Sequence, residues 1–154
     1  MENLKLTSSD FSDGDEIPRE CGYKNGNRAP RLKWNFLDAF PEGPFPASFA
    51  LIMDDPDAME AVGKVWVHWV VWNIPIKQDQ MPQGAYDGAE GMTDFGKVGY
   101  GGPAPPDKRH TYVFKLYALD IYLDLPGKST KADVEKAMEG HILEQTQLTG
   151  TYAP

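Results

Sequence analysis

Residues Val65–Ile74 read V-W-V-H-W-V-V-W-N-I, almost all apolar, rich in Val and Trp, and free of Gly and Pro. That composition suits a strand buried on both faces better than a surface helix. His68 interrupts it, and strict strand alternation places its side chain with Trp66, Val70 and Trp72. Two readings are open. His68 is either a core histidine whose ring nitrogens are satisfied by neighbours, or the floor of a pocket.

The bulk numbers bound the problem. A chain of 154 residues predicts one domain, spanning 1–154, with one sizeable core. The 15 Gly and 13 Pro point to many turns between short strands. A formal charge of −8 argues against nucleic-acid partners and against anionic membrane surfaces, since both would be repelled. With Cys21 as the one cysteine, no internal disulfide can form, which fits a reducing compartment. No apolar run reaches the roughly 18 residues of a membrane span, and the start, M-E-N-L-K-L, lacks a signal-peptide core. The expectation is a cytoplasmic protein with no stable membrane insertion.

Working outward from the Trp-rich segment, Ala47–Met53 reads as the preceding strand. It runs into Asp54-Asp55-Pro56-Asp57, expected as an exposed polar strand end or solvated turn. A loop then reaches Lys64. Further upstream, Leu4 and Leu6 alternate as a short edge strand, and Leu32, Trp34 and Phe36 as a half-buried one. A stiff Pro-rich connection follows from Pro41 to Pro46. Downstream, Gln83–Lys108 is a Gly- and Pro-rich loop of a length usually functional or disordered. Tyr86, Phe95 and Tyr100 are its expected anchors. His110–Leu119 alternates cleanly, putting His110, Tyr112, Phe114, Leu116 and Ala118 on one face. Thr130 and Asp133 form a capping-box pattern for one helix, with a stripe through Val134, Ala137, Met138, His141 and Ile142. Leu148–Tyr152 reads as a last strand. The sum is mainly β: a two-sheet antiparallel β-sandwich with a C-terminal helix.

Four features suggest one site. They are Asp55 and Asp57 at a strand end, His68 in a strand, Gly101-Gly102-Pro103 in a loop, and His110 with Tyr112 opening the next strand. Residues two apart on a strand project to one side. His and Tyr offer hydrogen-bond donors, and successive glycine N–H groups can form an anion-binding concavity. Together they suit a phosphate or another small anion.

The order of these features resembles the phosphatidylethanolamine-binding protein family, in its bacterial and archaeal Raf-kinase-inhibitor-like branch. L-K-L-T-S-S-D-F-S-D-G-D-E-I-P and N-R-A-P-R-L-K-W resemble its opening segments. F-A-L-I-M-D-D-P-D-A and G-Y-G-G-P-A-P-P followed by H-T-Y-V-F resemble its two signatures. V-H-W-V-V-W-N-I-P resembles its central strand, and G-H-I-L its terminal helix. The resemblance covers nearly the whole chain. It implies a β-sandwich with a small pocket for phosphorylated head groups, lined by Asp55, His68, Gly102, Pro103, His110 and Tyr112, with Asp57 close by. It also implies kinase or serine-protease partners. The rim departs from the family pattern: Met59 stands where a proline is frequent, Ala104 where a cysteine is, and Asp107-Lys108-Arg109 replaces a stretch that usually contains glycine.

Three function classes follow. The leading expectation is a non-catalytic binding protein for a small phosphorylated or anionic ligand. A histidine held protonated by Asp55 or Asp57 would make binding tighter at pH 6 than at pH 8. The second is a protein inhibitor acting on a serine protease or kinase through Met59–Gly63 and Asp107–Arg109. The third, an enzyme, lacks an H-x-x-x-H pair and a G-x-S-x-G elbow, and nothing marks Cys21 as activated. No cofactor or metal is expected. A cis bond is expected at one or more of Pro56, Pro103 and Pro106. A monomer or a homodimer covering Trp66 and Trp72 both fit the sequence.

Overall fold

The computed structural model describes residues 3–38, 43–81 and 88–154. Among these, strands β1 (Leu4–Thr7), β2 (Leu32–Phe36) and β3 (Ser48–Asp55) precede helix α1 (Ala58–Val62). Strands β4 (Trp66–Pro75), β5 (Gln80–Met81), β6 (Ala89–Glu90) and β7 (His110–Leu119) come next. Helix α2 (Lys131–Met138) and strand β8 (Ile142–Tyr152) end the chain. A three-stranded sheet, β1-β2-β5, faces a five-stranded one, β6-β4-β3-β7-β8, with antiparallel neighbours throughout.

Alternation along the strands builds two apolar layers. Between the sheets lie Leu4, Leu6, Leu32 and Trp34 from the small sheet, against Leu51, Met53, Trp69, Val71, Phe114 and Leu116 from the large one. The outer face of the large sheet carries Ala50, Ile52, Val70, Trp72 and Leu119, covered by Val134 and Met138 of α2 and by Leu123. The fold is therefore three layers deep: small sheet, large sheet, helix. Trp72 is fully buried within one chain, so no second copy is needed to cover it.

The middle strand of the large sheet is β3, with all eight residues buried, and the Trp-rich β4 is its neighbour. Two register shifts interrupt the β3–β4 ladder. Met53 pairs with Trp69 but Asp54 with Val67, leaving His68 as an extra residue, a β-bulge. The bulge corrects the expected facing of His68. Val67 packs on the outer layer with Val70 and Trp72, whereas His68 turns toward the inner side with Trp69 and Tyr112. The second shift lies at the other end of β4, where Asn73 has a φ of 55° and its amide bonds both backbone groups of Leu123.

The helix starts as its capping box predicts, with Thr130 and Asp133 bonding reciprocally. It ends earlier than the apolar stripe suggests. Gly140, at a φ of 79°, turns the chain, the His141 N–H returns to the Met138 carbonyl, and Ile142 pairs with Leu119 as the first residue of β8. His141 and Ile142 thus leave the helix, G-H-I-L is a helix-to-strand junction, and the final strand is 11 residues long. The segment expected as loop before Lys64 holds α1, closed by Gly63 at a φ of 81°.

The bonds preceding Pro56, Pro103 and Pro106 are trans; among the described residues the cis bond is Gly43–Pro44. Pro41, at the start of the Pro-rich connection, and the anchor Tyr86 lie outside the described residues. Among the described residues no helix is long and apolar enough to cross a membrane.

Candidate ligand pocket

One end of the large sheet brings together the end of β3 and the starts of β4 and β7. Alternation carries Asp55, His68, His110 and Tyr112 to the inner side there. They line a cavity of about 140 Å³ with Trp66, Phe95 and Ala104, walled by Ala58, Ala61 and Val62 of α1 and by Pro106. The space suits a small polar group or a few waters.

The three carboxylates near the end of β3 separate. Asp54 and Asp55 are buried, which corrects the expected exposed strand end. Asp54 turns to the outer layer and receives Lys115 Nζ at 3.3 Å and Lys131 Nζ at 2.8 Å. Asp55 turns inward, and its Oδ2 accepts from His110 Nδ1 at 2.6 Å. Asp57 is exposed and accepts the Thr111 N–H at 2.7 Å, tying the start of α1 to β7 without entering the cavity lining.

His110 is fully buried, and its second nitrogen, Nε2, lies 2.7 Å from Asp107 Oδ1. Burial alone would lower its pKa, but the hydrogen bonds and charges of Asp55 and Asp107 outweigh it and raise His110 above the usual histidine range. Asp107 is driven the other way: desolvation pushes its carboxyl up, but the hydrogen bond from His110, the backbone N–H groups of the turn and the His110 charge together hold it below the usual range. Both His110 donors are therefore committed to carboxylates.

His68 behaves oppositely. Burial lowers its pKa, with only partial compensation from the Gly101 carbonyl and the charge of Asp55. Its Nδ1 sits 2.6 Å from that carbonyl and must donate, so the neutral ring keeps Nε2 as an acceptor. Its ring also meets Phe95 and Tyr112 edge-on, at centroid distances of 5.3 and 5.1 Å. Burial, reinforced by Asp55, pushes the Tyr112 phenol far up. Two buried polar atoms in the lining, Asp55 Oδ1 and the Tyr112 hydroxyl, make no well-formed hydrogen bond, although Asp55 and the Ala104 backbone lie close enough to the phenol to act on it.

The glycine pair does other work. Gly101 N–H donates to the His68 carbonyl at 2.8 Å and Gly102 N–H to Asn27 Oδ1 at 2.7 Å. The expected anion concavity thus has its donors already engaged. A Cβ on Gly102 would run into the Cys21 carbonyl, so glycine is needed there for close backbone approach. Pro103 accepts from the Tyr23 N–H and, like Gly102, is not part of the cavity lining. Cys21 is buried, and desolvation pushes its thiol up to about 11.

Sequence reasoning put Met59 and Asp107 on the rim but missed α1 as a helical wall, Phe95 as lining and Asp107 as the partner of His110. Helix α1 spans only five residues, too short for a periodic signal, though A-M-E-A-V is a run of mostly good helix formers after a possible cap. Phe95 belongs to the ordered part of the long loop. It stacks on Tyr23 at 4.1 Å and meets Trp66 edge-on, while Asp94 beside it accepts from the Val67 N–H and from Lys64. Among the described residues no three His, Cys, Asp or Glu side chains converge as a metal-ligand set.

The family profile described as phosphatidylethanolamine-binding protein matches residues 7–153. A UPF0098 protein of Methanothermobacter thermautotrophicus is 38% identical over 156 residues, covering 97% of this chain and 98% of the relative. The UPF0098 protein YbhB of Escherichia coli is 36% identical over 165 residues, covering 97% and 100%. Among solved structures, the phosphatidylethanolamine-binding protein homolog CT736 of Chlamydia trachomatis superposes with a TM-score of 0.86 at 32% identity, covering 99% of this chain and 98% of its own. YbcL of E. coli, a member of the mammalian PEBP family, gives 0.84 at 29%, covering 97% and 98%. The chain belongs to the phosphatidylethanolamine-binding protein family, and that membership supports a binding-protein role.

Proposed function

We propose that the pocket binds a small phosphorylated ligand in its proton-bearing form and performs no catalysis on it. The observation that carries this reading is the pair of buried, unpartnered atoms in the lining, Asp55 Oδ1 and the Tyr112 hydroxyl. Each such atom costs about 1–3 kcal/mol while it lacks a partner. A ligand that brings both a donor and an acceptor relieves the two together.

The chemistry selects the ligand's protonation state. Asp55 Oδ1 can only accept, and neutral His68 adds a second acceptor, whereas Tyr112 can donate. A fully ionised phosphate brings acceptors alone and meets a carboxylate head-on. A singly protonated phosphate ester offers one P–OH to Asp55 and accepts from Tyr112. Phosphate esters take up that proton near pH 6, so affinity rises as pH falls from 8 to 6. The direction matches the sequence expectation, but the added proton sits on the ligand or His68, since both His110 donors are taken.

Calorimetric titration of phosphoethanolamine and inorganic phosphate into wild type and Tyr112→Phe, at pH 6 and pH 8, tests the reading. Wild type is expected to bind more tightly at pH 6, and Tyr112→Phe to lose roughly ten-fold or more. Equal affinity at the two pH values, or a phenylalanine variant that binds as well, rejects it.

A second reading rests on the rim. Met59 and Val62, 54% and 51% exposed, stand one turn apart on the pocket helix. Exposed apolar side chains in that arrangement suit contact with a partner protein, a kinase or serine protease. Inhibition assays with wild type and Met59→Asp/Val62→Asp separate this role from ligand binding. Placement in the cytoplasm also belongs to the proposal, and the single buried thiol of Cys21 is compatible with it.

A further inference from the structure

The turn just before β7 supplies the partner of His110 Nε2. Asp107 lies three residues upstream, with its side chain 37% exposed while the ring it caps is fully buried. Its carboxylate meets Nε2 as an oxyanion ligand would: one anionic oxygen at 2.7 Å on an imidazole N–H. We infer that Asp107 is a built-in substitute anion, occupying the place on His110 that an external oxyanion would take. The inference rests on the proposed function, because it concerns access to that same pocket.

The neighbouring residue holds the turn in position. Lys108 Nζ reaches Glu60 Oε2 at 2.9 Å, linking the turn to α1, and Pro106 and α1 both contribute to the cavity wall. Arg109 anchors the other side of the turn on Glu16 and Thr151. All three residues of Asp107-Lys108-Arg109 are thus engaged, and the first of them covers the second ring nitrogen of His110. With Asp107 in place, the free polar atoms of the lining are Asp55 Oδ1, Tyr112 hydroxyl and His68 Nε2, which favour a ligand carrying its own proton. With Asp107 displaced, His110 Nε2 is freed to donate to an oxyanion, whose charge then takes over from Asp107 in supporting the protonated ring beside Asp55. The acidic turn therefore sets both how tightly and in which ionic form an anion is held.

The test uses inorganic phosphate as the probe, on wild type, Asp107→Ala and Asp107→Asn. Calorimetry supplies affinities, and the ¹⁵N shifts of the His110 ring report which nitrogen the anion touches. Asp107→Ala is expected to bind phosphate roughly ten-fold more tightly than wild type, with His110 Nε2 shifting on phosphate addition only in the variant. Asp107→Asn removes the charge but keeps an acceptor over the ring, so its gain is smaller. If wild type binds and Asp107→Ala binds no tighter, the substitute-anion inference is overturned while the proposed pocket stands. If alanine and asparagine gain equally and Nε2 never responds, the effect is one of net charge alone and the inference is again overturned. Binding by Asp107→Ala but not by wild type supports the substitute anion and rejects the proposed function for the native chain. Absence of binding in all three overturns both.

Discussion

Asp54 and Asp55 are consecutive in the chain, both buried, and belong to different layers of the protein. Asp54 joins Lys115 and Lys131 on the helix side of the large sheet, and Asp55 joins His110 on the pocket side. The two-residue period of a strand is what divides them. One carboxylate serves assembly of the layers and the other the site, so their substitutions should read out differently.

Asp54→Asn removes the anion shared by two partly buried lysines. The cost is expected to be about 3 kcal/mol, because breaking one side of a buried ion pair leaves charge uncompensated. Lys115→Ala keeps the shorter Lys131 contact and should cost less. Urea unfolding of the two variants measures the difference, and equal losses would refute the shared-anion account.

Tyr112→Phe deletes a buried hydroxyl that has no partner in the ligand-free protein. Stability is expected to stay level or rise by about 1 kcal/mol, since an unsatisfied group is removed at nearly constant shape. Thermal unfolding checks this. A large loss of stability would mean that the hydroxyl has a structural partner in solution.

His110 contributes stability with a definite pH dependence. Its folded pKa is raised, so the contribution is fully present below the unfolded value near 6.5 and is lost as pH climbs through the folded value. The stability gap between wild type and His110→Gln should be widest in mild acid and close toward alkaline pH. His68, shifted downward, acts in the opposite sense but is common to both proteins and cancels in the gap. A gap that widens with rising pH would contradict the Asp55–His110–Asp107 arrangement.

Asn73 holds left-handed backbone and bonds Leu123 through both ends of its amide, at 2.9 and 2.7 Å. Asn73→Ala loses both bonds and keeps the strained backbone, an expected loss of about 2–3 kcal/mol. Asn73→Gly relieves the backbone component and should be milder. Denaturant midpoints of the pair test that ordering.

Much of this was legible in sequence because strands announce themselves by alternation. L-K-L-T, L-K-W-N-F and H-T-Y-V-F-K-L-Y-A-L each became a strand with the expected faces, and Thr130 with Asp133 became the helix cap. Asp55, His68, His110 and Tyr112 meet in one cavity lining because they stand on neighbouring strands at one end of the large sheet. What was missed has no period. A five-residue helix, the Phe95 loop and Asp107 in a turn depend on tertiary contacts that no local pattern encodes. Gly101 and Gly102 were misjudged in role because free and engaged N–H groups look alike in sequence. The early end of α2 was hidden because Ile142 continues the apolar spacing past Gly140, although it belongs to the next strand.

The extra residue at His68 acts as a phase change. A strand keeps a two-beat rhythm, and one added beat swaps every later side chain between the layers. Before the bulge the rhythm of β4 serves the cavity, with Trp66 inside and Val67 outside. After it, the same strand serves the core, with Trp69 inside and Val70 outside. Binding surface and hydrophobic core are thus two frames of one strand, spliced at the histidine. Removing a single residue there would leave the composition of β4 almost unchanged and still put one of the two frames out of step.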